Sequence, residues 1–183
     1  REAFERATKL HAAYPETLPN AWNNLGLLAA REERTDEAIL DFQHSLKLNP
    51  EYLIALNNLG NAYRQAKRWD EAQRTFERVL EVNAQDADAS YGLAMVFAQK
   101  NDTDRTQEYL LQALKYRPAY PEALNNLGIL YLRTGKRDEA VARFEESIRV
   151  APDFDQSYLN LARVYALQGE AAKAKIVLQE LLK

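Results

Sequence analysis

Residues 57–60 are Asn57-Asn58-Leu59-Gly60, and the same four letters occur at residues 23–26 and 125–128. The leucine belongs to a longer series with a constant spacing of 34 residues: Leu25, Leu59, Leu93, Leu127 and Leu161. Such a period indicates a repeat array, because each repeat can bury its apolar face only by stacking on its neighbours. Stacking is expected to leave a continuous groove, which favours binding over catalysis.

The repeat boundaries follow from taking Pro19 as the first position. We predict a single array over residues 1–183, with repeats at 19–52, 53–86, 87–120, 121–154 and 155–183. Residues 1–18 are expected to be the second half of an earlier repeat, with a helix from Glu2 to Ala13. The third repeat departs from the pattern, since it has Gly92 within its first helix and differs at three usual positions: Ala94, Thr106 and Leu110.

Apolar residues recur at helical spacing within each repeat, and this predicts two helices per repeat, or about 11 helices in all. A polar or glycine-containing break separates the two helices. The second helix opens with Asp36, Asp70 or Asp138, whose carboxylates suit the exposed amides and the positive end of a helix start. Each pair is followed by a proline or a short turn that ends the helix.

The pattern Trp22-x-x-Leu25-Gly26, followed by Ala38, Phe42 and Pro50, resembles the tetratricopeptide repeat over essentially the whole chain. The resemblance implies an all-α solenoid of antiparallel helix pairs wound into a right-handed superhelix. We expect the small side chains of Gly26 and Ala38 to lie where the two helices of a pair approach most closely. Tyr63, Phe97, Tyr131 and Tyr165 are expected to belong to the core, and a stacking platform for bases is the weaker alternative.

Composition excludes several classes of function. The formal net charge is −3, with 28% charged residues, which argues against non-specific nucleic-acid binding. There is no Cys and there are only two His, too few for a zinc site, and no cofactor motif is present. No apolar run is long enough to insert into a membrane. No Ser, His and acidic residues stand at a catalytic spacing, so we expect no enzymatic activity.

The resemblance implies that the first helix of each repeat lines a concave face. The residues predicted to form a peptide-binding groove there are Asn23, Asn24, Asn57, Asn58, Asn61, Arg64, Tyr91, Met95, Asn125, Asn126, Arg133, Asn160 and Arg163. Asparagine dominates this set although it is a mediocre helix former. A side-chain amide complements a peptide unit in its donors and acceptors, so a row of amides suits an extended peptide backbone.

This row is similar to the asparagine ladder in the repeat domain of O-linked N-acetylglucosamine transferase, although Gly92 interrupts it. The alternative is structural: the amides bond within and between neighbouring repeats and keep the groove soluble. Arg31, Arg64, Arg133 and Arg163 favour an acidic ligand, or else they pair with acids such as Glu32. The charged clamp of chaperone-binding relatives is not expected, because its groove positions carry no Lys or Arg here.

These features predict a non-catalytic scaffold that binds an extended peptide segment of a protein partner. One alternative is self-association through terminal helices, because the chain starts on a second helix and ends at Leu181-Leu182-Lys183 without a polar capping helix. Another is that the array is the targeting or regulatory arm of a larger enzyme.

Overall fold

The computed structural model describes residues 18–182, which form ten α-helices and no strand. The helices are α1 Leu18–Arg31, α2 Thr35–Leu48, α3 Leu53–Gln65, α4 Trp69–Val82, α5 Ala87–Gln99, α6 Thr103–Tyr116, α7 Pro121–Arg133, α8 Arg137–Val150, α9 Asp155–Leu167 and α10 Ala171–Leu181. They match the two predicted helices of every repeat from the first to the fifth. The helix expected from Glu2 to Ala13 lies outside the described residues.

The helices belong to two compact units, one up to Lys100 and one from Asn101 onward. The boundary falls inside the third predicted repeat, so that α5 lies in the first unit and α6 in the second. In the first unit α1 pairs with α2 and α3 with α4, while α4 also packs on α5. In the second unit α6 packs on α7, α7 pairs with α8 and α9 pairs with α10. Within each unit, successive first helices also contact one another.

The paired helices approach closely because a glycine of the first helix faces a phenylalanine of the second. A Cβ atom added at Gly26 would lie 2.6 Å from the ring of Phe42, and one at Gly128 would lie 2.6 Å from Phe144. Both rings are buried, and Ala38 is fully buried beside Phe42 on α2. The close approach predicted at Gly26 is therefore confirmed, and a larger side chain there would push the pair apart.

The turn between the two helices places one residue of every described repeat in the left-handed region. These residues stand one period apart: Glu33, Lys67, Asn101, Gly135 and Gly169, with φ between 57° and 80°. The second helix then starts at Thr35, Trp69 or Arg137, one residue before the predicted aspartate. Asp36, Asp70 and Asp138 lie in the first turn. Their negative charges interact favourably with the positive end of the helix dipole there, but they do not cap a backbone amide. Among the described residues, Asp86 and Asp102 do accept a capping hydrogen bond from a backbone amide.

The aromatic series runs along the repeats in the interior. Tyr63 and Phe97 are buried, and Tyr131 and Tyr165 are half-buried. Two of the hydroxyls bond to the second helix of the preceding repeat: Gln43 donates to the Tyr63 oxygen at 2.8 Å, and Tyr165 donates to Glu145 at 3.0 Å. These rings therefore tie neighbouring repeats together.

Candidate functional site

Two asparagines of the predicted groove are buried and hydrogen-bonded to the next repeat. Asn23 is 3% exposed and Asn125 is 2% exposed. Asn58 Nδ2 donates to Asn23 Oδ1 at 2.9 Å, and Asn160 Nδ2 donates to Asn125 Oδ1 at the same distance. These bonds join successive first helices, which is the arrangement that the structural alternative expects.

Asn57 occupies the same repeat position as Asn23 and Asn125 but has a different environment. Its Nδ2 lies 3.3 Å and 3.4 Å from the two carboxylate oxygens of Asp86. Its Oδ1 is buried and accepts no hydrogen bond from any described residue. The residue one repeat after Asn58 is Gly92, which has no side-chain amide to supply the missing donor.

The ring of Phe76 packs closely against Gly92. A Cβ atom added at Gly92 would lie 2.4 Å from Phe76 Cζ, and one at Gly60 would lie 2.7 Å from the same ring. The fully buried ring thus fills the space between a glycine of α3 and a glycine of α5. The asparagine row is therefore interrupted at a position where the chain packs closely against this ring.

The other predicted groove residues are more accessible. Asn24, Asn61, Arg133 and Arg163 are exposed, whereas the remainder are half-buried: Asn57, Asn58, Arg64, Tyr91, Met95, Asn126 and Asn160. Adjacent positions therefore differ sharply, with Asn23 inside and Asn24 outside, because consecutive residues lie about 100° apart around a helix.

In the first unit, part of the predicted groove forms a cleft between α3 and α5, which we call the first cleft. Its volume is about 380 Å³, and its lining comprises Asn61, Arg64, Gln65, Trp69, Met95, Ala98 and Gln99. Arg64 Nη1 donates to Asn61 Oδ1 at 2.9 Å, so these polar side chains bond to one another at the edge. Trp69, Met95 and Ala98 give the cleft an apolar surface.

In the second unit, a corresponding cleft of about 550 Å³ lies between α7 and α9, and we call it the second cleft. Its apolar lining consists of Ile129, Leu132 and Leu167, and its polar side chains are Arg133, Arg137, Asn160 and Arg163. Both clefts lie against the last turn of one first helix and the next first helix. Ile129, Leu132 and Arg133 stand two periods after Asn61, Arg64 and Gln65, so the same site recurs in the two units.

Salt bridges at Arg31, Arg133 and Arg163 differ from what the alternative expected. Glu32 forms its salt bridge with Arg34 instead of Arg31. Within residues 18–182, Arg133, Arg137 and Arg163 make no salt bridge. The second cleft therefore holds three guanidinium groups without a carboxylate partner.

Several residues that line the clefts are absent from the predicted groove set. Among them, Trp69 and Arg137 lie on second helices, and Leu132 precedes Arg133, the residue that was predicted at the end of α7. The aliphatic run Ile129, Leu130 and Leu132 was the one sequence signal available for Leu132. For Arg137 no signal existed, because its position in the same cleft as Arg163 depends on how the repeats stack.

Other chemical features are sparse in the described part of the chain. Among residues 18–182 no cluster of three His, Cys, Asp or Glu side chains could hold a metal ion. None of the described helices is long and apolar enough to cross a bilayer. Burial, together with the hydrogen bond to Glu145, raises the pKa of Tyr165 to about 12, far from any value suited to acid–base chemistry at neutral pH.

Comparison with known proteins places this architecture in context. Family models described as tetratricopeptide repeat match residues 17–85, 51–119 and 85–153, and a second such model matches residues 125–183. No curated protein sequence matches the chain.

Three similar solved structures share the fold at low sequence identity. The MamA protein is 21% identical, with a TM-score of 0.72 and 91% of each chain covered. The pilF protein of Pseudomonas aeruginosa is 19% identical, with a TM-score of 0.83, covering 92% of this chain and 77% of that one. YrrB, described as a TPR protein with an unusual peptide-binding site, is 22% identical, with a TM-score of 0.68, covering 98% of this chain and 91% of that one.

Proposed function

The chain belongs to the tetratricopeptide repeat family, and from this we propose that it is a non-catalytic scaffold that binds an extended peptide segment of a partner protein along its first helices. The family and its helix pairs support a role in protein–protein interaction. The peptide and its position on the first helices are our proposal.

The observation that carries the proposal is the recurrence of a cleft at the same repeat positions in both units. Each cleft combines an apolar surface with a polar edge: Met95 and Trp69 with Asn61 in the first, and Leu167 and Leu132 with Asn160 in the second. Apolar pockets with a few polar groups are typical of sites that bind the side chains of a ligand. A segment of a partner would insert an aliphatic side chain into such a cleft.

The polar edge suits the backbone of the same segment. Asn160 lines the second cleft and uses its Nδ2 in the bond to Asn125, and that bond leaves its Oδ1 as an acceptor. A peptide N–H could donate to this oxygen. The buried Asn23 and Asn125 act differently, since they hold the outer asparagines in position. YrrB, which has a similar fold and a peptide-binding site, adds support to a peptide ligand.

The expected affinity is modest. Each hydrogen bond contributes about 1 kcal/mol net, and ordering a flexible peptide costs several kcal/mol. Burial of one or two aliphatic side chains adds about 1.5–3 kcal/mol each. Together these values predict dissociation constants of roughly micromolar size or weaker.

Selection from a display library of random 12-residue peptides tests the proposal, with Leu167→Glu and Leu40→Glu as matched variants. Leu167 lies in the second cleft and is 54% exposed, whereas Leu40 is 56% exposed and lines neither cleft. We expect the wild-type chain and Leu40→Glu to enrich the same sequences and Leu167→Glu to lose part of them. Absence of enrichment with the wild-type chain, or equal enrichment with both variants, would contradict a peptide site in this cleft.

Self-association is a second candidate, favoured by the apolar surface of α10. Ile176 is 62% exposed and Leu178 is 38% exposed on this helix. If the surface joins two copies, light scattering should show a dimer whose population falls when both residues become Lys. A mass that stays that of one chain at every concentration would remove this candidate.

A further inference from the structure

The second cleft differs from the first in its charge. Arg133 lies at the end of α7, Arg137 at the start of α8 and Arg163 in the middle of α9. Three helices thus bring three cations to one concave site, and no acidic residue lines it. The first cleft has a single arginine, Arg64, which bonds to Asn61.

Several other cations of the described chain have acidic partners. Arg68 pairs with Glu71, Arg105 with Asp102 and Lys100 with Asp70. Arg133, Arg137 and Arg163 have no such partner within residues 18–182. Like charges that share one cleft repel one another, and an anion that enters it relieves this repulsion while it accepts hydrogen bonds from guanidinium groups.

The apolar lining restricts what kind of anion fits. Ile129, Leu132 and Leu167 lie beside the arginines. A ligand that covers this surface needs an aliphatic part next to its negative charge. An acidic protein segment with a leucine or isoleucine combines both, whereas a nucleic acid backbone has no aliphatic side chain and requires a wider basic field than a chain of net charge −3 offers.

We propose that the second cleft selects acidic segments, in which Asp or Glu residues flank an aliphatic residue that inserts between Leu132 and Leu167. This inference rests on the proposed function and adds the chemical class of the partner segment. The carboxylates pair with Arg133, Arg137 and Arg163, and the aliphatic side chain fills the apolar part. Selectivity for acids belongs to the second unit, because the first cleft has no comparable group of cations.

The carboxylate–arginine pairs form at a partly solvated site, so each contributes modestly to the binding free energy. We expect replacement of both acids by their amides to weaken binding about tenfold. Salt should weaken it as well, since exposed charges are screened within about 8 Å at physiological ionic strength. The amide version of the peptide should show little dependence on salt.

The test begins with the library selection and continues with the best peptide in fluorescence anisotropy against the full chain. We expect acidic residues on both sides of an aliphatic residue in the enriched sequences, and loss of this bias with Arg137→Gln/Arg163→Gln. Arg149→Gln, a change on α8 outside the cleft, should keep the bias. The Asn/Gln version of the peptide should bind about tenfold more weakly.

Each other result overturns the inference in a distinguishable way. Enriched sequences without acidic bias, or with a bias that survives in the double variant, would leave peptide binding in place and remove the charge selectivity. A phosphoserine version that binds far more tightly than the Asp/Glu peptide would point to phosphorylated segments instead. Tight binding of a 12-nucleotide RNA that depends on the same arginines would point to nucleic acid. No enrichment by the wild-type chain would remove the inference together with the proposed function.

Discussion

Asn160 donates a hydrogen bond of 2.9 Å to Asn125, a residue 35 positions earlier and one repeat away. Asn125 is buried, and its Oδ1 also lies 3.4 Å from the hydroxyl of Ser157. The bond between Asn58 and Asn23 repeats the geometry in the first unit. An amide that looks available for a ligand in the sequence therefore serves as a link between first helices.

Replacing Asn125 by Ala should destabilise the chain, because the buried acceptor disappears and the donor of Asn160 loses its partner. We expect the free energy of unfolding to fall by about 1–3 kcal/mol. Asn24→Ala is the matched control, since Asn24 is exposed, and should change the stability by less than about 0.5 kcal/mol. Guanidinium titrations followed by circular dichroism measure both. Equal stability of the two variants would show that the inter-repeat bond contributes nothing.

The contact between Gly92 and Phe76 predicts that substitutions at these two positions have coupled effects on stability. Gly92→Ala places a Cβ atom in the ring of Phe76 and should cost about 1–3 kcal/mol of unfolding free energy. In a Phe76→Leu background the space is larger, so the same change should cost at least about 1 kcal/mol less. A double-mutant cycle of unfolding free energies measures the coupling. Strictly additive costs would mean that the ring and the added methyl group do not compete for space.

At the left-handed turn positions, removing a glycine and introducing one should change the stability in opposite directions. Gly135→Ala should lower the stability by about 1–2 kcal/mol, and the cause is backbone strain, because no atom lies within 4 Å of the added Cβ. Lys67→Gly should raise the stability by up to about 1 kcal/mol, since relief of strain exceeds the added entropy of the unfolded chain.

Lys67→Ala is the control, because it keeps a side chain at positive φ and should leave the stability nearly unchanged. Denaturation midpoints of the three variants measure these differences. A loss of stability in Lys67→Gly would show that the lysine side chain stabilises the turn in another way.

We predict that ionisation of Tyr165 lowers the stability of the folded chain at alkaline pH. Its pKa is raised from 10.0 to about 12, first by burial and then by the hydrogen bond to Glu145. The folded state thus holds the tyrosine proton more tightly than the unfolded chain does. The resulting contribution of Tyr165 to the free energy of unfolding is complete below pH 10 and disappears as the pH rises to about 12.

Tyrosinate absorbance titrations of the wild type and Tyr165→Phe isolate this group by difference. Glu145→Gln should lower the pKa of Tyr165 while burial keeps it above the ordinary value. A difference titration centred at pH 10 would contradict the environment described for this ring.

The sequence predicts the repeats well for a physical reason. A constant period places Gly26 against Phe42 within a single helix pair, and this contact is local along the chain. The helix starts are less well specified, since Asp36 was expected to open α2 and lies one residue inside it. Helix ends depend on a few backbone hydrogen bonds, which residue type specifies only loosely.

The candidate site was predictable in part. Asn61, Arg64 and Met95 line the first cleft, and Asn160, Arg133 and Arg163 line the second, all of them predicted as groove residues. Asn23 and Asn24 are the same amino acid on the same helix, and nothing in the repeated word Asn-Asn-Leu-Gly distinguishes the buried side chain from the exposed one. The difference arises from which side of the helix meets the next repeat.

The amino-acid sequence alone specifies the period, the two helices in each repeat and the family, because these follow from local helical spacing and from small residues at the helix crossings. The stacking of repeats in three dimensions assigns the amide pairs, leaves Asn57 Oδ1 without a donor opposite Gly92, and brings Arg137 of one helix beside Arg163 of another. These features join residues that lie far apart along the chain, so they exist only once the helices have packed.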